Sequence, residues 1–151
     1  MSMMREIYQQ IIIDHSRNPR NFHELPEPCQ NRVGHNRLCG DSLNLYIRVQ
    51  DNIITECSFT GDGCAIALSS ASLLTEIITG LTTEAVTDLF NDFHAALVNG
   101  ENFDEKTNQH ERLAVFLGVG EYPARVKCAT LAWQTLMSLI QNSSENVVST
   151  E

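Results

Sequence analysis

The sequence predicts an α+β fold, a small antiparallel sheet of about three strands with helices packed mainly on one of its faces. Three observations predict it. A central segment alternates apolar and polar residues with a period of two. The segments on either side repeat their apolar residues at three- and four-residue spacing. Glycine, proline and asparagine punctuate these patterns at short intervals, with no internal repeat or linker. The 151 residues, 1–151, are therefore expected to form one domain around one core.

The elements follow in order. Residues 4–15 read as a helix, because Ile7 and Ile11, and Met4, Tyr8, Ile12 and His15, share a face. Asn18-Pro19 ends it, since a residue before proline avoids the helical region. Residues 20–34 carry two prolines, Pro26 and Pro28, and few apolar residues and read as loop. Leu43, Leu45, Ile47 and Val49 alternate with Asn44, Tyr46, Arg48 and Gln50, the pattern of a half-buried strand. A second strand continues through Ile53, Thr55, Cys57 and Phe59. A two-residue loop at Asp51-Asn52 would set Phe59 on the face opposite Leu45, so a three-residue loop, 51–53, is expected. Gly61-Asp62-Gly63 breaks the strand, and a helix runs over residues 64–79 to a stop at Gly80. Thr82 or Thr83 caps the next helix, which ends before Asn99-Gly100. Residues 101–107 read as polar loop and 111–117 as a short helix stopped by Gly118. Pro123 suits the first turn of the last helix, where Cys128, Leu131, Ala132, Thr135, Leu136 and Leu139 form a stripe. The polar tail after Gln141 is expected to fray.

Composition narrows the function. The net charge of −9 argues against nucleic-acid binding by phosphate neutralisation. No run approaches the roughly 20 apolar residues of a membrane helix, and the start lacks the apolar stretch of a secretory signal. A cytoplasmic protein is expected. Its five cysteines, an odd and sparse set, read as metal ligands or reactive thiols rather than as a disulfide framework.

Three short motifs carry the chemistry. In Leu38-Cys39-Gly40-Asp41, glycine lets the backbone turn so that thiolate and carboxylate can address one ion. In Gly61-Asp62-Gly63-Cys64-Ala65, a cysteine opens a helix, where free N–H groups favour a negative sulfur. Arg125-Val126-Lys127-Cys128 lies in the first turns of the last helix. Each motif alone is weak, because a lone cysteine is more often a small buried hydrophobe.

Taken together, residues 5–140 resemble the IscU/SufU/NifU N-terminal domain family of iron–sulfur cluster assembly proteins. The matching segments are Asn18-Pro19-Arg20-Asn21, Cys39-Gly40-Asp41, Gly61-Asp62-Gly63-Cys64-Ala65-Ile66 with Ser69-Ser70-Ala71-Ser72, and residues 122–133 from Tyr122-Pro123 through Cys128 to Trp133. The resemblance implies that Cys39, Cys64 and Cys128 are the functional thiolates and Asp41 the carboxylate beside them. It is nearest the SufU type. The Leu-Pro-Pro-Val-Lys segment of IscU-type scaffolds is replaced by residues 120–127, and Lys127 stands where they carry histidine. The stretch from Cys64 to Cys128 is long and includes Gly100-Glu101-Asn102-Phe103-Asp104. SufU-type members bind zinc and receive sulfur from a SufS-type cysteine desulfurase.

Three thiolates and a carboxylate make a closed set for tetrahedral zinc, and the same set suits iron or a [2Fe–2S] cluster. With a divalent ion the site sums to −2, so cationic support is expected from Arg125, which can share a helix face with Cys128, or from Lys127 or Arg37. The leading expectation is a zinc-bound sulfur acceptor working through Cys39, which sits on a loop where movement costs least. The alternatives are a scaffold that builds a [2Fe–2S] cluster for downstream carriers or apo-proteins, and a plain zinc-stabilised interaction domain. Cys57 reads as a buried structural thiol, Cys29 as an exposed bystander, and Trp133 as core or partner contact. Among the histidines only His35 stands near a motif cysteine.

Overall fold

The central alternation folds as a hairpin. In the computed structural model, which describes residues 3–103, 106–141 and 147–150, β2 (Asp41–Gln50) and β3 (Ile53–Asp62) pair antiparallel. Leu43, Leu45, Ile47 and Phe59 turn to the core and are at most 1% exposed.

The turn between them corrects one expectation. The loop is two residues long, Asp51-Asn52, with φ of 51° and 66°, and Gln50 pairs with Ile53. Asp and Asn tolerate this left-handed backbone, which matches the twist of a hairpin. The parity requirement is met inside the strand instead. Val49 pairs with Ile54 and Arg48 with Glu56, so Thr55 is an extra residue in a β-bulge. Beyond it Leu45 faces Phe59 and Ile47 faces Cys57, odd with odd.

The sheet is larger than expected, with four strands in the order β3-β2-β1-β4. β1 (Gln30–Asn36) begins inside the stretch read as loop and pairs antiparallel with β2. It holds a single branched apolar residue, Val33, so no alternation announces it, and its strand geometry comes from pairing. β4 (Val147–Ser149) pairs parallel with β1, which makes the sheet mixed. The end of the tail is thus pinned rather than frayed, and the Thr150 N–H donates to the His35 carbonyl at 3.2 Å. The rest of the expected frayed tail, residues 142–146 and 151, and residues 104–105 of the expected 101–107 loop lie outside the described residues.

Helices cover the core face. α2 (Ala65–Ile78) and α5 (Pro123–Ile140) lie directly on the sheet, α1 (Met3–Arg17) packs on α2, and α3 (Thr83–Asn99) on α5. Of the predicted apolar face of α1, Tyr8, Ile11, Ile12 and His15 meet the core side, while Met4 and Ile7 are exposed. Thr82 caps α3 by accepting the Ala85 N–H at 3.1 Å. The short helix starts earlier than expected, as α4 (Asn108–Leu113), because Thr107 Oγ1 accepts the His110 N–H at 3.2 Å. It then tightens into a 3₁₀ segment, Ala114–Glu121, that passes through Gly118. No described helix is long and apolar enough to cross a membrane.

On the opposite face the 20–29 loop does the covering. Arg48 donates to the carbonyls of Pro26 at 2.6 Å and Pro28 at 3.0 Å, and the Tyr46 hydroxyl donates to Glu24 at 3.3 Å. Arg48 of the polar half of β2 is thus bonded to backbone carbonyls of this loop and Tyr46 to its Glu24 side chain.

Trp133 sits in the centre of the core, 0% exposed, near the rings of Phe90 (6.4 Å between centroids) and Phe93 (5.8 Å). Its indole Nε1–H is buried without a hydrogen-bond partner among the described residues. Trp133→Ala should therefore cost about 3–5 kcal/mol, while Trp133→Phe, which removes the unsatisfied donor, should cost under about 1.5 kcal/mol. Urea denaturation of the two variants checks this, and equal losses would show that the indole N–H is bonded after all.

Candidate metal centre

Three parts of the fold meet at one end of the sheet. The turn from β1 to β2 is closed by the Cys39 N–H donating to the Asn36 carbonyl at 3.3 Å and the Gly40 N–H to the Arg37 carbonyl at 3.3 Å. Gly40 has φ of 71°, a value that costs a side-chain-bearing residue energy. The turn presents the half-buried Cys39 thiol and hands the chain to Asp41, the first residue of β2, whose side chain is buried.

The second part is the start of α2. Cys64 is its N-cap, and its Sγ accepts the Ala67 N–H at 3.4 Å. The Cys64 N–H donates to Asp41 Oδ1 at 2.8 Å, and Cys64 Sγ lies 3.9 Å from Asp41 Oδ2. This approach depends on Gly63, because a Cβ there would stand 2.8 Å from Asp41 Oδ1. The third part is α5, which brings in Cys128, buried in its second turn.

The donor atoms of Cys39, Asp41 and Cys128 all lie within 4.8 Å of one another, and Cys64 joins at the edge of that group through Asp41. Burial pushes the Cys128 thiol up, and its hydrogen bonds to Cys39, Asp41 and Cys64 raise it further. Burial also pushes up the Cys64 thiol, offset in part by the Ala67 N–H and the Cys128 thiol. Thiols held this way ionise when a cation compensates them. Three sulfurs and one carboxylate, all deprotonatable and convergent, suit tetrahedral zinc or an iron–sulfur cluster.

The remaining sequence candidates are placed as follows. The Arg125 guanidinium lies over the Tyr122 ring, 4.7 Å from its centroid, on an exposed part of α5. The Lys127 carbonyl accepts the Thr150 hydroxyl at 3.1 Å. Backbone at the start of α2 supports negative sulfur directly, through the Ala67 N–H on Cys64 Sγ. Cys57 is buried in the core, where desolvation pushes its thiol far up. Cys29 is half-buried rather than exposed, its Sγ 3.5 Å from the Leu25 carbonyl. No histidine joins the donor group among the described residues. His15 is buried and bonded to Ser72 Oγ at 2.7 Å. His110 is held between Thr107 Oγ1 at 2.8 Å and Asp92 at 3.0 Å. His35 pairs with Ser42 in the sheet.

Sequence reasoning missed Asn36. It is fully buried, and its Nδ2–H donates to Cys128 Sγ at 3.4 Å. The only available signal was its place just ahead of the Cys39 turn, since a contact across 92 residues leaves no local trace.

Comparison with known proteins fits this arrangement. The model for the NifU-like N-terminal domain matches residues 7–141. The zinc-dependent sulfurtransferase SufU of Bacillus subtilis is 33% identical over 130 residues, covering 86% of this chain and 86% of that protein. The iron–sulfur cluster assembly scaffold protein IscU of Thermotoga maritima is 32% identical over 142 residues, covering 94% of this chain and 98% of its own length. A SUF-system scaffold protein from Fervidobacterium islandicum superposes with a TM-score of 0.78 at 33% identity, covering 88% of this chain and 96% of that one. A domain match over nearly the whole chain and relatives covered almost end to end lead to one conclusion: this chain belongs to the NifU-like N-terminal domain family, together with proteins named SufU and IscU.

Proposed function

We propose that this chain is a zinc-dependent sulfur acceptor in iron–sulfur cluster assembly, taking sulfur at Cys39 from a SufS-type cysteine desulfurase in the cytoplasm. The observation that carries the reading is the unequal anchoring of convergent donors. Cys39 stands half-buried on a turn, whereas Cys64, also half-buried, caps a helix, Cys128 is buried within one and Asp41 opens a strand. The relative named as a zinc-dependent sulfurtransferase supports the same reading.

The chemistry asked of Cys39 is thiol–disulfide exchange. Its thiolate attacks the outer sulfur of the desulfurase persulfide. A new S–S bond forms on Cys39, the S–S bond of the donor breaks, and the donor cysteine leaves as a thiolate, with no net oxidation or reduction. Zinc, when bound, supplies the positive charge that keeps buried sulfurs ionised. Cys64, Cys128 and Asp41 hold the ion while the Cys39 turn moves. Arg125 is a further support for anionic sulfur, reached by leaving the Tyr122 ring. The sulfur then passes to downstream carriers or apo-proteins.

The 32% identity to a protein named as an IscU scaffold favours a second reading, in which the same donors hold a [2Fe–2S] cluster as cargo. Metal and acid-labile sulfide analysis of anaerobically purified protein separates them. About one zinc per chain without sulfide is expected, and iron with matching sulfide would move the assignment to the scaffold.

Cys39→Ser should retain zinc and a native melting profile yet lose both the added sulfur seen by mass spectrometry and the stimulation of desulfurase turnover. Cys64→Ser and Cys128→Ser should lose zinc. A Cys39→Ser chain that unfolds would instead indicate a structural zinc domain.

Zinc uptake should release at least about two protons at pH 7, those of Cys64 and Cys128, whose thiols are pushed up before binding. Because binding expels protons, affinity should rise steeply with pH and fall as pH drops. Calorimetry in buffers of differing ionisation enthalpy measures the number, and zero release would mean the sulfurs are already ionised.

A further inference from the structure

We infer that Asn36 is a positioning residue that hydrogen-bonds the Cys128 sulfur in the metal-bound site and keeps that sulfur anchored. The inference rests on the donor set described above and goes beyond it by assigning a role to a residue that is not a ligand.

Asn36 touches the site in three ways. Its Nδ2–H donates to Cys128 Sγ at 3.4 Å. Its carbonyl accepts the Cys39 N–H at 3.3 Å. As the last residue of β1 it pairs with Asp41 across the sheet. One residue therefore ties β1, the Cys39 turn, the start of β2 and α5 together at the donor atoms.

A plainer account makes Asn36 a turn former. Asparagine favours the first position of a turn because its side chain can bond the backbone two residues on. Here that side chain is spent on a sulfur 92 residues away, and the bond that closes the turn is made by the backbone carbonyl, which any residue supplies. The slot is also costly for an amide. Asn36 is 0% exposed and its Oδ1 has no hydrogen-bond partner among the described residues, so an apolar residue of similar size would relieve an unsatisfied acceptor. Turn formation does not account for that cost. A donor to Cys128 does, because an N–H aimed at a ligating sulfur fixes its orientation and spreads its charge. The consequence is a division of labour. Cys128, buried and held by the amide, stays, and Cys39, on its turn, is the sulfur with freedom to react.

The test uses the full chain loaded with Co²⁺ in place of zinc, and the variants Asn36→Leu and Asn36→Ala. Both remove the donor, and leucine keeps the number of side-chain heavy atoms. Losing a hydrogen bond raises the energy of the sulfur lone pairs, so the sulfur-to-cobalt charge-transfer band should move to lower energy in both variants. The tetrahedral d–d bands should remain, showing that the ligands are unchanged. Loss of zinc to a chelator should be about 10–100-fold greater than in the native chain. A merely structural Asn36 would alter melting and leave the charge-transfer energy where it was, and a band that stays put in both variants would overturn the proposal. If Asn36→Leu does not fold, the same band is read in Asn36→Ala, which fits wherever asparagine does. None of these readouts depends on sulfur transfer, so a native chain that accepts no sulfur would sink the relay and leave the role of Asn36 tested.

Discussion

The register of β2 on β3 is the constraint on which the site depends. The core needs Leu45 opposite Phe59 and Ile47 opposite Cys57, and a tight Asp51-Asn52 turn alone would place them on opposite faces. The bulge at Thr55 absorbs the odd residue. Its effect continues to the far end of the hairpin, where Ser42 pairs with Asp62 and Leu43 with Gly61. That pairing sets the entry into α2 beside the start of β2, and the Cys64 N–H reaches Asp41 at 2.8 Å. One step along a strand is about 3.3 Å, comparable to the 4.8 Å within which Cys39, Asp41 and Cys128 converge. A slip by one residue would therefore turn the core inside out and take Cys64 away from Asp41 together. Hydrophobic burial and metal-site geometry are satisfied by the same choice.

Much of this was legible in the sequence, and the limits have physical causes. The four donor residues could be proposed because three motifs, the Cys39–Asp41 turn, the glycine pair before Cys64 and the proline-started helix that carries Cys128, are each weak alone but together resemble a known family. The central strands were legible because Leu43 through Val49 alternate without interruption. β1 was not, because Gln30-Asn31-Arg32 and His35-Asn36 carry no apolar period, and the strand is made by its partner. β4 was hidden for the same reason, as three residues in a polar tail cannot declare a pairing with Val33 to His35. The need for an extra residue between Gln50 and Phe59 could be inferred from parity, but its place could not. Parity counts residues and is silent on whether the turn or the strand takes up the surplus. Tolerance of positive φ at Asp51 and Asn52 decided it for the strand. Asn36 was invisible because its defining contact is tertiary.

The electrostatics of the centre explain why its sulfurs differ. A buried anionic cluster needs compensating charge, and the chain brings backbone N–H groups and one carboxamide to it: the Ala67 N–H to Cys64, the Cys64 N–H to Asp41, and the Asn36 amide to Cys128. These are fixed donors on a helix start and a strand end, and they hold what they touch. The Arg125 guanidinium, over the Tyr122 ring, stands on the exposed side of α5. Rigid support therefore falls on Asp41, Cys64 and Cys128, and Cys39 is carried by a turn whose closing bonds are both 3.3 Å long. Moving Cys39 stretches two backbone bonds of a surface turn, whereas moving Cys128 would require shifting α5, which carries the buried Trp133 and packs on the sheet. The proposed sulfur relay needs this inequality, and it follows from the element on which each cysteine stands.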